Sequence, residues 1–334
     1  MGSFACLCIA AVAQNGEQQF AQLGDFQLDN GQIIRDCRIG YRTFGQLNSD
    51  KSNTVLFPTW FTGTTQQLAD LFGPGKLVDS SKYFVVALDA LGDGVSSSPS
   101  NSRLQPHMNF PQISIRDMVR SQYKFATETL HLTHVKAVMG ISMGGMQTFQ
   151  WMVSYPEFMD KAIPIVGSPR LAPYDVILWK AENDAIMHDP AWNAGDYTEN
   201  PTREQLAEFE ALAISTPTRY NHENTREKAL EEIEKAKTEP AFDANDHIRQ
   251  SEAMMALDVC APFGGSMQRA AEAVKAKILV IVNDADHMVT PGPALEFARL
   301  LHAQVLELNN ECGHVLLSCE GARVNAAVAE FLSH

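Results

Sequence analysis

Gly140-Ile141-Ser142-Met143-Gly144-Gly145 is the stretch on which the reading of this chain turns. A serine with glycines two positions to either side suits a sharp turn from strand to helix, where the hydroxyl stands clear of the backbone. The main chain passes itself at close range in such a turn, and glycine avoids the Cβ collision. The bare G-x-S-x-G pattern is weak, so its surroundings must supply the specificity. Residues 135–139 ahead of it form a short apolar run of strand type. Residues 144–155 behind it carry Met146, Phe149, Trp151 and Met152 in a helical pattern. Both flanks that the turn requires are present, which points to Ser142 as a nucleophile.

Working outward, similar apolar runs recur at residues 54–58, 83–88, 162–166, 278–282 and 305–308. Continuous runs rich in Val, Ile and Phe suit strands buried on both faces, as in a parallel sheet. Residues 115–130 place Ile115, Met118, Val119, Tyr123, Ala126 and Leu130 on one helical stripe. This alternation predicts an α/β fold with a doubly wound, mostly parallel sheet. Near the start, residues 26–28 and 33–41 flank Asn30-Gly31, which predicts a hairpin closed by a type I′ turn. Between Gly167 and Gln268 the alternation stops. Helical patterns at 176–187, 203–213, 223–237 and 245–257 follow one another there without strands. The expected organisation is an α-helical cap at 171–261, inserted into a core of residues 20–170 and 262–334. Residues 1–19 are then a leader or a disordered start.

Composition narrows the function classes. With 334 residues, 45% of them hydrophobic, the chain can bury a large core. A net charge of −14 argues against nucleic acid or anionic lipid as a partner, because both reward clustered Lys and Arg. The charged run at 226–237 reads as a solvated helix face with i,i+4 pairs such as Glu231 with Lys235. No apolar stretch reaches membrane-spanning length. Residues 4–13 form a short apolar run ending Ala11-Val12-Ala13, which fits a small-x-small cleavage site but lacks a basic flank. Export to the periplasm or outside follows if that run is a signal remnant, and a cytoplasmic location if it is not. Six cysteines match no zinc spacing. Cys6 and Cys8 lie in the apolar run. Cys37, Cys260, Cys312 and Cys319 read as free buried thiols, or as including a disulfide if the protein is exported.

A nucleophilic serine on such a sheet needs an acid and then a histidine, in that chain order. Only His287, His302, His314 and His334 fit that order; His302 falls in a helical pattern, His334 is terminal and His287 shares the acid's loop. His314 lies in a loop after the last strand run, from which its ring can reach back over Ser142. Asp284 and Asp286 both follow the 278–282 run. Asp286 is the better placed to orient the imidazole, and Asp284 fits a turn-capping role. The oxyanion that forms in acyl transfer calls for two backbone N–H donors, expected from Met143 and from Phe61 in the loop after residues 54–58.

These residues resemble the homoserine O-acetyltransferase family along nearly the whole chain. The likeness is carried by Phe110-Pro111, Ile115-Arg116-Asp117-Met118-Val119 and Gln122. It continues through Ser142-Met143-Gly144-Gly145-Met146-Gln147, Trp151 and Tyr155-Pro156, and through Leu91-Gly92 with residues 97–102. In the cap it rests on Ala185-Ile186, Asp189-Pro190, Gly195-Asp196-Tyr197 and Phe242-Asp243-Ala244-Asn245. The resemblance implies an α/β-hydrolase core with a helical lid, and a homodimer through that lid. It also implies Asp286 as acid, His314 as base and Phe61 as second oxyanion donor. The departures fall on the acceptor site. Where the family has Asp after the catalytic histidine, this chain has Val315. If Tyr220 matches a family tyrosine, Ala213 stands where an Arg is expected. Trp60, Tyr220 and Val315 are the expected pocket residues.

An amino acid would lose its paired contacts in a pocket without those charges. The expected activity is therefore serine-dependent acyl transfer to water or to a non-amino-acid acceptor, on a small-molecule ester or acyl donor, without a cofactor or metal. One alternative is a homoserine O-acetyltransferase using acetyl-CoA as cosubstrate. An alternative of another class is a ligand-binding relative with idle chemistry.

Overall fold

The computed structural model describes residues 16–201, 203–236 and 242–334. The apolar run at 4–13, with Cys6 and Cys8, lies outside them, as does Lys237. Eight strands form one sheet: β1 (Gln19–Gln27), β2 (Ile33–Phe44), β3 (Thr54–Pro58), β4 (Phe84–Leu88), β5 (Val135–Ile141), β6 (Met159–Ile165), β7 (Lys277–Asn283) and β8 (Gln304–Leu308). Their order is β1-β2-β4-β3-β5-β6-β7-β8. The β1/β2 and β2/β4 pairs are antiparallel and every other pair is parallel.

Successive residues of a strand face opposite sides of the sheet, so an apolar run supplies two cores at once. In β3, Leu56 joins one apolar layer with Met118, Met146, Trp151 and Phe297. Its neighbours Val55 and Phe57 join the other, with Leu68, Val324 and Val328. Helices cover both faces: α1 (Thr65–Leu68), α2 (Ile115–Lys124) and α3 (Met143–Ser154), and after β6 α4 (Pro173–His188), α5 (Arg203–Ala213), α6 (Pro217–Glu223), α7 (Arg226–Ala236) and α8 (Ala244–Met255). Then come α9 (Met267–Ala273), α10 (Gly292–Leu300) and α11 (Leu316–Ser333). Among the described residues, no strand interrupts α4 to α8.

Three expectations needed correction. The β1/β2 hairpin forms, but its turn is not type I′. Gly31 N–H donates to Leu28 O at 3.0 Å. Gly31 takes φ +84° while Asn30 is not in the positive-φ region, which a type I′ turn would require of both. The reason is tertiary. Asp29 N–H donates to the Asp117 carboxylate at 2.8 Å, and the Asp29 carboxylate pairs with Arg116 at 3.2 Å and Arg120 at 2.6 Å. This holds the loop against α2. The stripe expected as one helix at 115–130 is α2 followed by a wider π turn at Phe125–Thr129. The helix expected at 223–237 is α7, which begins at Arg226; Glu223 instead ends a separate helix, α6, that Thr216 caps and Pro217 opens.

Cys312 and Cys319 are paired as a disulfide with Cα atoms 6.3 Å apart, whereas Cys37 and Cys260 are buried free thiols. In α7, Lys228 pairs with Glu232 at i,i+4 and no described side chain is buried, as a solvated face requires. No described helix is long and apolar enough to cross a membrane.

Candidate active site

Ser142 sits between β5 and α3 at φ 55°, ψ −120°, a conformation that L residues rarely adopt. Its N–H donates to Ile165 O at 2.8 Å, and Met146 N–H donates to Ser142 O at 2.9 Å. A Cβ on Gly140 would lie 2.5 Å from the Gly144 carbonyl carbon, and one on Gly144 would lie 2.5 Å from Pro58 O. Both glycines are therefore required by contact, and the second brings α3 hard against the loop after β3.

The side chains meet as the chain order anticipates. His314 Nε2 lies 2.8 Å from Ser142 Oγ, and His314 Nδ1 lies 2.7 Å from Asp286 Oδ2. Ser142, Asp286 and His314 are 6%, 3% and 7% exposed, so these contacts work in a poorly solvated setting. The other carboxylate oxygen of Asp286 accepts from Met288 and Val289 N–H, both at 2.9 Å. With Oδ1 so held, Oδ2 is left for the ring. Asp284 is exposed, and its carboxylate faces Glu307. The turn-capping contact belongs to Asn283, whose side chain accepts from Ala285 N–H at 3.2 Å.

Behind these groups runs a buried polar chain from α2 to the loop after β3. Trp151 Nε1–H donates to Gln122 at 2.9 Å, Gln122 donates to Gln147 at 2.6 Å, and Gln147 donates to Thr59 O at 3.0 Å. From α8, the Gln250 side chain accepts from Thr62 N–H at 2.9 Å. The loop carrying Trp60 and Phe61 is thus fixed at both ends. Another set of contacts fixes the His314 loop: Asn283 Nδ2 donates to Gly313 O at 3.0 Å, and Thr216 Oγ1 donates to Glu311 O at 2.8 Å.

A cavity of about 640 Å³ opens over Ser142 and His314. Trp60, Phe61 and Val315 line it, as expected. Tyr220 does not, and neither does Ala213; the neighbouring Ile214 takes that place. Met143 is fully buried, and its side chain is likewise absent from the wall. From the segment between β6 and β7 come Phe242, part of the stretch that carries the family likeness, and lining residues the sequence did not single out: Trp179, Glu182, Glu210 and His247. Nothing in the helical patterns of α4, α5 and α8 distinguishes these from ordinary core or surface positions. Among the described residues, no Lys or Arg lines the cavity. Among the described residues, no group of three or more His, Cys, Asp or Glu is placed to hold a metal.

Residues 61–318 match the family described as alpha/beta hydrolase fold. A probable esterase of Corynebacterium glutamicum is 32% identical over 280 residues, covering 80% of each chain. The homoserine O-acetyltransferase of Methanococcoides burtonii is 30% identical over 357 aligned positions, covering 93% of this chain and 72% of that one. Among solved structures, the acetyl esterase MekB superposes with a TM-score of 0.89 at 27% identity, covering 96% of this chain and 98% of its own.

Proposed function

Because the chain belongs to the α/β-hydrolase fold family, we propose that it is a serine esterase acting through an acyl-enzyme on Ser142. The observation that carries this reading is the continuous contact from Ser142 Oγ through His314 to Asp286, at 2.8 and 2.7 Å, on the wall of a cavity. Ser142 Oγ attacks the ester carbonyl as His314 Nε2 takes its proton. Asp286 holds the Nδ1–H tautomer and stabilises the imidazolium. Met143 and Phe61 N–H groups receive the oxyanion, each worth about 10²–10³ in rate. The imidazolium then protonates the leaving alcohol. Water, deprotonated by His314, releases the acid and restores the serine. These steps use side chains, backbone and water alone.

Residues 171–261 act as the lid, since nine of them, from four helices and the loops between, join Ser142 in one wall. Tyr174, Ile177, Leu212 and Leu230 in that segment are 60–74% exposed, which supports a homodimer contact there.

Water is the acceptor in this reading. Val315 is apolar, Glu182 and Glu210 face the cavity, and no Lys or Arg lines it among the described residues. The carboxylate of homoserine would be desolvated without a counter-charge. The test is p-nitrophenyl acetate hydrolysis set against acetyl transfer from acetyl-CoA to millimolar homoserine. Hydrolysis should dominate. Formation of O-acetylhomoserine outrunning hydrolysis would favour the acetyltransferase activity instead.

A further inference from the structure

The cavity that holds Ser142 also carries polar groups that acyl transfer leaves unused. Trp179 and Glu182 are three residues apart on α4, so they stand side by side on one helix face. His247 reaches them from α8. Trp179, Glu182 and His247 are 2%, 5% and 4% exposed, and all three line the cavity. Trp179 Nε1–H has no hydrogen-bond partner among the described residues. His247 Nε2 lies 3.2 Å from Glu182 Oε2, yet no aligned hydrogen bond joins them. A buried polar group left unpaired costs about 1–3 kcal/mol, so a wall with a free donor beside an under-used acceptor calls for a ligand. Phe61 packs edge-on against both rings, 4.9 Å from Trp179 and 4.8 Å from His247. The polar cluster therefore touches the residue that lends its N–H to the oxyanion, within reach of an ester held at Ser142.

The donor and acceptor types select among head groups. An alkyl group would leave both Trp179 and Glu182 unpaired. An anionic group would face Glu182 and Glu210, with no Lys or Arg among the described residues of the wall. An ammonium would satisfy Glu182 but confront the indole N–H, which only donates. A hydroxyl accepts from Trp179 Nε1–H and donates to Glu182, and so pairs both.

We infer that Trp179 and Glu182, with His247 positioning the Glu182 carboxylate, form a subsite for a neutral hydroxyl on the substrate. The preferred substrates are then short esters hydroxylated on either the alcohol or the acyl part. This rests on the esterase reading. Two matched pairs test it, each exchanging a hydroxyl for a methyl group: 2-hydroxyethyl acetate against propyl acetate, and ethyl 3-hydroxybutanoate against ethyl 3-methylbutanoate. For one pair, kcat/KM should favour the hydroxylated ester by about tenfold or more, and the pair that shows it identifies the side bearing the hydroxyl. Trp179→Phe, which keeps a ring but removes the donor, and Glu182→Met, which keeps length but removes the acceptor, should each cut that ratio severalfold, chiefly through KM. A wild-type ratio at or below one in both pairs overturns the inference, whatever the variants do. So does a high ratio that neither folded variant lowers. If p-nitrophenyl acetate is turned over while the pairs are equal, only the subsite fails; if no ester is hydrolysed, the esterase reading fails with it.

Discussion

The backbone N–H of His314 donates to the carbonyl of Ile214 at 3.1 Å. The residue that faces Ser142 is thereby held by the helical segment between β6 and β7 as well as by the sheet. Gly313 makes this approach possible. It sits at φ +59°, and a Cβ there would lie 3.1 Å from Ser215 Cα.

Gly313→Ala should therefore act on catalysis more than on binding. The added methyl group must push residues 214–216 and the His314 loop apart, misplacing a ring that needs alignment within a fraction of an ångström. The expected loss is on the order of 10²-fold in kcat with little change in KM. Steady-state kinetics on p-nitrophenyl acetate measures it, and unchanged kcat would show that the loop relaxes freely.

The two aspartates after β7 should separate cleanly. Asp286→Asn leaves the geometry but favours the wrong imidazole tautomer, and should lower kcat on the order of 10³–10⁴-fold. Exposed Asp284→Asn should stay within about twofold of wild type, since surface changes rarely carry more than a few tenths of a kcal/mol. The reverse ranking would move the acid to Asp284.

How much of this was legible beforehand follows from what each feature demands of the chain. The turn at Ser142 forces glycine at 140 and 144 by direct contact, so it leaves a local pattern. Strands buried on both faces require unbroken apolar runs, and all six runs became strands, with ends shifted by up to three residues, although β8 at the sheet edge leaves Gln304, Val305 and Glu307 exposed. The order Ser, Asp, His narrowed ten histidines to four, and the loop after the last strand run singled out His314. The cavity wall left no such trace. Trp179, Glu182 and His247 lie on two helices some 60 residues apart, and each alone looks like a core or surface residue. Tyr220 and Ala213 failed for the related reason that sequence spacing within the helical segment does not reveal which side faces inward. The hairpin turn was decided by Arg116 and Arg120, far along the chain from Asn30.

The glutamine chain behind the site gives a further prediction. Gln147→Leu removes the donor to Thr59 O and leaves Gln122 without its acceptor. Gln250→Leu removes the acceptor for Thr62 N–H. Each should loosen the loop bearing Phe61 and lower kcat by about tenfold or more, short of the full loss of an oxyanion donor. Slower acylation of Ser142 in a pre-steady-state burst would place the defect there; a change confined to KM would contradict it.

Stability should depend on pH through Asp246. Burial, then the charge of Asp243, raises its carboxyl from 3.8 to about 8, against the opposing hydrogen bonds from Ser100. Between those values the folded protein holds a proton that the unfolded chain releases, so this group's contribution is full below the unfolded value and is lost as pH rises through the folded one. From about pH 5 to about pH 8 the wild-type Tm should fall more steeply than that of Asp246→Asn, which stays neutral throughout. Parallel Tm curves would show that Asp246 is ionised in the folded state.

The most direct test of the central claim is covalent trapping of the nucleophile. Wild-type protein treated with a fluorophosphonate and mapped by peptide mass spectrometry should carry one adduct, on Ser142, with parallel loss of p-nitrophenyl acetate hydrolysis. Ser142→Ala should take up no label and show no turnover, because nucleophile and base act as a unit. An adduct on a different residue, or hydrolysis that survives in Ser142→Ala, would contradict Ser142 as the nucleophile.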